Sequence, residues 1–183
     1  MNFLEIITNQ VMRVTGGQFK GHPLPMKFAS HVRPSTDKMR ESMFNMLANQ
    51  LYFEELSVLD LFSGSGIIAL EFLSRGAKEV VSVDLDGKNI QHQKKIREEK
   101  HCQQWEIVKA DVFKYLQNSP KKYDLIFADP PYAMPNLQNL VSMVRPHLID
   151  GGIFLFEHQP RLVFDPPPTR EKDYGSSKLS IFE

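Results

Sequence analysis

The chain has 183 residues, 42% of them hydrophobic and 24% charged, and its 22 basic and 22 acidic side chains balance to zero net charge. That is about one domain of average globular composition, which excludes collagen-like, fibrous and wholly disordered chains and argues against a surface that coats nucleic acid on every side. A chain this long buries roughly two-thirds of its unfolded surface and needs no disulfide or structural metal to fold. Cys102 has no internal partner, which fits a reducing compartment. With no apolar run approaching the roughly 18 residues of a membrane span, and no basic segment leading into an apolar run and a cleavage site at the N-terminus, the expected location is the cytoplasm.

In chain order, residues 1–11 form an extra N-terminal segment, and Met12 is a candidate start. Residues 12–49 read as an appended arm and helix, with Gly16-Gly17, scattered basic residues and prolines, then a helix from about Thr36 to Leu47 capped by Ser35 or Thr36. From Arg13 to Arg40 there are six basic residues (Arg13, Lys20, Lys27, Arg33, Lys38 and Arg40) against Asp37 alone. A basic arm on a neutral body suits a phosphate backbone, although a solvated loop has the same composition. From Glu54 to Asp86 the balance reverses, with seven acidic residues against Arg75 and Lys78.

Residues 50–183 alternate strand and helix. Apolar strands are expected at 57–62, 80–83, 105–108, 123–128 and 153–156, the last led in by Gly151-Gly152, with helices at 67–73, 86–100, 112–116 and 137–148 between them. After Glu157 the alternation stops; Pro166–Pro168 makes a rigid turn, and 178–182 closes an antiparallel hairpin. Buried strands separated by helices imply a doubly wound, mostly parallel, seven-stranded α/β sheet of Rossmann-like type.

The segment LDLFSGSG, Leu59 to Gly66, gives the strongest cofactor signal. Gly64 and Gly66 permit a tight turn and close approach of a ligand to the backbone after the first strand. Asp84 ends the second strand 18 residues after Gly66, placed to take both hydroxyls of a ribose; capping the next helix is its structural alternative. Asp111 follows the third strand and can accept from an adenine amine, with Val112 against the ring. With Asp60 on the first strand, a carboxylate near the end of each of three successive strands describes a nucleoside pocket.

The fourth strand ends Ala128-Asp129-Pro130-Pro131-Tyr132. Consecutive prolines have fixed φ and donate no hydrogen bond, so carbonyls here stay open as acceptors. Asp129 and the Pro130 carbonyl can take the two hydrogens of an exocyclic amine, while Tyr132 stacks on the base, a contact worth roughly 1–3 kcal/mol. An aryl amine is a poor nucleophile because its lone pair is delocalised; holding both hydrogens directs that lone pair at an incoming methyl group. The plainer alternative is that Pro-Pro only ends a strand.

LDLFSGSG, VDLD and DPPY in this order and spacing resemble a class I S-adenosylmethionine-dependent methyltransferase acting on an exocyclic amine. More narrowly, MRVTGGQFKG at Met12–Gly21, RPSTDKMRESMFNML at Arg33–Leu47, LEFLSRGA at Leu70–Ala77 and the tail KDYGSSKLSIF resemble the bacterial small-subunit (16S) ribosomal RNA guanine-N2 methyltransferases over nearly the whole chain from Met12. The resemblance implies S-adenosylmethionine at Gly64, Gly66, Asp84 and Asp111, with Asp60 and Val112 expected beside them, and catalysis at Asp129, Pro130, Pro131 and Tyr132. It also implies RNA along the basic arm and helix, at Arg13, Lys20, Arg33, Lys38 and Arg40, with an assembled or partly assembled small-subunit particle as substrate; a monomer is expected. Two features depart from the pattern: the extra first eleven residues, and Arg97, Glu98, Glu99 and Lys100 at the end of the helix after VDLD in place of an asparagine.

DPPY alone also fits a DNA adenine-N6 methyltransferase, but the chain is short for a separate target-recognition domain. A nicotinamide-dependent oxidoreductase fits the sheet and Asp84 and leaves DPPY without a purpose. The six histidines lack ligand spacing and no CxxC or HExxH occurs, so no metal site is expected. Ser63 and Ser65 have no partnered base, and Phe62, Phe72, Phe154 and Phe156 read as core.

Overall fold

The computed structural model describes residues 9–27 and 37–183. The main sheet contains β3 (Ser57–Leu61), β4 (Glu79–Asp84), β5 (Trp105–Lys109), β6 (Tyr123–Ala128), β7 (Leu148–His158), β8 (Arg170–Asp173) and β9 (Lys178–Phe182), in the spatial order β5-β4-β3-β6-β7-β9-β8. The pairs from β5 to β7 are parallel, and β9 enters antiparallel between β7 and β8. Strand order therefore reverses beside β3, which puts a crevice at the carboxyl ends of β3 and β6, the place where open α/β sheets bind ligands.

Side-chain alternation divides the sheet into two apolar faces. Val58, Val80, Leu125, Phe127 and Leu155 pack on one side with α1 (Asp37–Ala48), α2 (Ile67–Ser74) and Ile96 of α3 (Gly87–Glu99). Leu59, Leu61, Val83, Ile126, Ala128 and Phe156 pack on the other with α4 (Val112–Asn118) and α5 (Leu140–Val144). Phe72, Phe154 and Phe156 are core residues as expected, and Phe62 is partly buried.

Three differences from the sequence reading have local causes. The expected helix over 137–148 is broken: α5 is flanked by single 3-10 turns at Leu137–Asn139 and Arg145–His147, and Pro146 lies in the second of them. Strand β7 starts at Leu148 and runs through Gly151-Gly152, with a register shift opposite Tyr123 and Leu125. The arm contains an antiparallel hairpin, β1 (Asn9–Arg13) with β2 (Pro23–Lys27), whose first strand crosses the expected boundary after residue 11. Pro23 and Pro25 hid this strand from sequence patterning; a two-stranded ribbon is all edge, where proline is tolerated. The capping role expected of Ser35 or Thr36 lies outside the described residues.

The arm is fastened to α2. Glu71, wholly buried, accepts from the Thr15 backbone N–H at 2.8 Å and the Thr15 hydroxyl at 3.0 Å, and pairs with Arg75 and Arg40. Ser74 adds three bonds: its carbonyl accepts from Gln18 N at 2.8 Å, its hydroxyl oxygen accepts from Phe19 N at 2.8 Å, and its hydroxyl donates to the Gly16 carbonyl at 2.6 Å. Gly17 has φ +76°, and a Cβ there would stand 2.0 Å from the Ser74 carbonyl, so only glycine fits this close approach.

Met12, Val14 and Leu24 of the arm are buried in the same apolar cluster as α1 and α2. Removing one partner of a buried ion pair costs about 3–5 kcal/mol. Glu71→Ala is therefore expected to lose that much stability in urea denaturation and to expose residues 9–27 to limited proteolysis.

Candidate active site

Four carboxyl groups lie along one face at the carboxyl ends of four adjacent strands. Counting by two from the residues of the α1/α2 face, Asp84 follows Val80 on β4, Asp60 follows Val58 on β3, Asp129 follows Phe127 on β6, and Glu157 follows Leu155 on β7. Burial pushes the Asp60 carboxyl well above the usual range; the neighbouring Asp84 adds to this, and the Ala69 backbone N–H opposes it. Burial also raises Asp129, reinforced by Glu157 and then Asp60. Asp60 is only 1% exposed, and its Oδ2 has no hydrogen-bond partner among the described residues.

The turn between β3 and α2 is built from left-handed backbone. Phe62, Gly64 and Gly66 have φ of 57°, 49° and 78°. Asp84 clamps it, its Oδ2 accepting from Gly64 N at 2.7 Å while its Oδ1 accepts from Asp86 N at 2.8 Å and Asn89 Nδ2 at 3.3 Å. Asp84 is thus no helix cap; Asp86 caps α3 by accepting from Lys88 N. The two glycines differ in what they are needed for. A Cβ on Gly64 would meet only the Phe62 carbonyl, at 3.9 Å, leaving the open side that a ligand requires. A Cβ on Gly66 would fall 2.7 Å from Gln93 Cγ and 2.9 Å from Trp105, so packing, rather than ligand approach, demands that glycine.

Gln93, which sequence reasoning missed, is buried and bolts α3 to this turn. Its Nε2 donates to Ser63 Oγ at 2.9 Å and to the Gly64 carbonyl at 2.8 Å. A glutamine on a polar surface helix carries no sequence signal for this task. Leu85, missed as well, is 65% exposed directly after Asp84, and its apolar side chain within VDLD was a usable signal. Asp111 lies at the N-cap of α4, accepting from Lys114 N at 3.0 Å. Val112, expected against a ligand ring, is buried in the α4/α5 cluster directly after Asp111.

In the DPPY segment, Asp129 is partly buried, Pro130 is buried and Tyr132 is 40% exposed. The Pro131 carbonyl accepts from Met134 N at 2.9 Å and the Tyr132 carbonyl from Gln159 Nε2 at 3.0 Å. Among the described residues no backbone or side-chain donor meets the Pro130 carbonyl, the acceptor that the sequence pattern singles out. Glu157, 5% exposed at the end of β7, was also missed. Its signal was an acid directly after an apolar strand, the same signal that marked Asp129.

The basic residues separate. Lys20 and Lys38 are exposed. Arg13 is exposed too, with its Nη1 donating to the Gly21 carbonyl at 3.2 Å. Arg33 lies outside the described residues. Arg40, expected on a phosphate, is corrected: it is 0% exposed, pairs with Asp37 and with Glu71 at 3.6 Å, and donates to the Arg13 carbonyl at 3.1 Å. Buried arginine is retained where its charge is paired, and charge counting along the sequence cannot tell such a residue from a solvated one.

Strand order, an acid-clamped glycine turn and acids ending successive strands define a class I methyltransferase. The chain belongs to the family described as Conserved hypothetical protein 95, whose model matches residues 12–183. Among its relatives is the Bacillus subtilis protein named "Putative rRNA methyltransferase YlbH", 34% identical over 186 residues, with 94% of this chain and 98% of that protein covered. Another is Ribosomal RNA small subunit methyltransferase D of Escherichia coli, 29% identical over 81% of this chain and 75% of that one. The solved structure of the Thermus thermophilus hypothetical protein TTHA0928 superposes with a TM-score of 0.81 at 26% identity, covering 94% of this chain and 99% of that one.

The glycine assignments predict opposite outcomes. Gly66→Ala is expected to cost about 1–3 kcal/mol through overpacking, read as a lowered denaturant midpoint. Gly64→Asn, a residue tolerated at the left-handed φ of this position, leaves the Gln93–Trp105 packing intact and fills the open side of the turn, read as weakened nucleoside binding in calorimetry.

Proposed function

We propose that the protein transfers the methyl group of S-adenosylmethionine to the exocyclic N2 amine of one guanine in small-subunit ribosomal RNA. The observation that carries this reading is Asp129: a carboxyl at the end of β6, followed by the Pro130 carbonyl, which no donor meets among the described residues, one strand from Asp60 and two from Asp84. The names of the B. subtilis and E. coli relatives support RNA as the substrate class.

The residues fit the nucleoside of S-adenosylmethionine. Asp84 Oδ2, which accepts only from Gly64 N, keeps a lone pair for a ribose hydroxyl, and Oδ1 can take a second hydroxyl by releasing its longer bond to Asn89. Asp60 Oδ2 is a buried acceptor awaiting a donor, Gly64 leaves room, Leu85 offers apolar surface for a base, and Asp111 stands at the third strand. Once bound, the cofactor supplies an electrophilic methyl group on a cationic sulfur.

Asp129 and the Pro130 carbonyl accept the two amine hydrogens, so the nitrogen lone pair points at the methyl carbon, and Tyr132 stacks on the base. The contribution is orientation and a fixed electrostatic field rather than strong basicity, because the amine turns acidic once methylated.

Lys20, Lys38 and Arg13 supply phosphate contacts, with Arg33 as a further candidate. The substrate is the RNA of an assembled or partly assembled small-subunit particle, and the protein works as a monomer in the cytoplasm. Among the described residues no helix is long and apolar enough to cross a membrane.

Asp129→Ala is expected to lower turnover by about 10²–10³-fold with S-adenosylhomocysteine affinity retained in calorimetry, whereas Asp84→Ala mainly weakens that affinity. Charge reversal at Lys20 and Lys38 is expected to weaken RNA binding and flatten its log–log salt dependence by about 0.7–0.9 per lysine. Unchanged salt dependence removes the RNA role of these lysines.

A further inference from the structure

Glu157 has no part in the chemistry described so far, yet its position is unusual. Ala128 pairs with Phe156 across β6 and β7, so Asp129 and Glu157 are the next positions on adjacent strands and share a face. Neighbouring strands lie about 4.8 Å apart. Glu157 is 5% exposed and its Oε2 has no hydrogen-bond partner among the described residues. A buried glutamate with an orphaned oxygen is costly unless it holds a proton or serves a function.

The groups acting on this pair come from every side. Asp60 of β3 faces Asp129. Ser177, just before β9, hydrogen-bonds Glu157, and Arg40 of α1 brings the field of its cation, itself shared with Asp37 and Glu71. His158 points to the opposite face, with its ring nitrogens on the Gln159 carbonyl and Ser180 Oγ.

We propose that Glu157 is a positioning residue that shares one proton with Asp129 and thereby sets when Asp129 is a carboxylate. This rests on the reading above that Asp129 faces the target amine. In the reactive form the shared proton is on Glu157 and Asp129 is ionised. On methylation the amine's N–H bond breaks with its electron pair left on nitrogen, and an O–H bond forms at Asp129. The doubly protonated pair then returns one proton to water.

Two adjacent carboxyl groups, Glu157 buried and Asp129 partly so, titrate as a pair in two steps. Burial raises Glu157 to about 7, offset by Ser177 and Arg40, and once ionised it holds the Asp129 proton on more tightly. Glu157 thus holds down the ionised fraction of Asp129 in the neutral range.

The test is the pH profile of single-turnover methyl transfer by the full-length wild-type protein and by Glu157→Gln and Glu157→Asp, using small-subunit ribosomal particles lacking the modification. Glu157→Gln removes the like charge, so Asp129 loses its proton at lower pH. The acid limb is expected to move down by at least about one pH unit, while Glu157→Asp keeps the limb near wild type. An unmoved limb in a Glu157→Gln protein that still binds S-adenosylhomocysteine overturns the proposal.

Should Glu157→Gln not fold, NMR titration of the wild-type Asp129 carboxyl carbon makes the same test. Two steps support the shared proton, and one step overturns it. Asp129→Asn separates the two readings: wild-type transfer by that variant removes Asp129 from the chemistry, whereas abolished transfer with an unmoved Glu157→Gln limb removes Glu157 alone.

Discussion

Like charges crowded into a low-dielectric rim are the constraint around which this molecule is arranged. Parallel strands all end at the same edge, and here four adjacent ones end in Asp84, Asp60, Asp129 and Glu157 on one face. In water such a row costs little, but in a partly buried crevice burial, reinforced by neighbouring acids, raises Asp60 and Asp129 and favours their protonated forms. The protein answers with backbone donors at Asp84, the Ala69 N–H at Asp60, and Arg40 beneath Glu157. Among the described residues, Asp60 Oδ2 and Glu157 Oε2 meet no hydrogen-bond partner.

Arg40 links the rim to the arm. The same guanidinium that acts on Glu157 pairs with Glu71, and Glu71 holds Thr15 and Arg75. The hairpin carrying Arg13 and leading to Lys20 is therefore tied through one buried ion network to the helix behind the glycine turn. An arm that must present lysines to a phosphate backbone benefits from such a mount, because contacts made from a rigid base lose less entropy on binding.

Much of this was legible in the sequence because apolar runs between acids are hard to mistake. The strands at Ser57–Leu61 and Tyr123–Ala128 are nearly continuous hydrophobic segments, and each site acid is on or directly after such a run. The glycine turn was legible for the same reason, although sequence alone could not separate the open Gly64 from the packed Gly66. Residues whose role depends on a partner far along the chain were hidden. Gln93 is 29 residues from the Gly64 carbonyl it holds, and Arg40 is 31 residues from Glu71. Glu157 gains its meaning only when β6 and β7 pair. The hairpin at residues 9–27 was obscured by prolines acceptable only in an edge ribbon, and Pro146 broke a helix that periodicity alone had joined.

The function proposed for the Asp129–Tyr132 segment is methylation of a guanine N2 amine in RNA. Its most direct test is methyl transfer from labelled S-adenosylmethionine to unmodified small ribosomal subunits, naked ribosomal RNA and DNA, with the labelled nucleoside identified by mass spectrometry. The account predicts N2-methylguanosine in the small-subunit RNA and no label in DNA. N6-methyladenine in DNA, or no transfer to any of the three by a protein that binds S-adenosylhomocysteine, would contradict it.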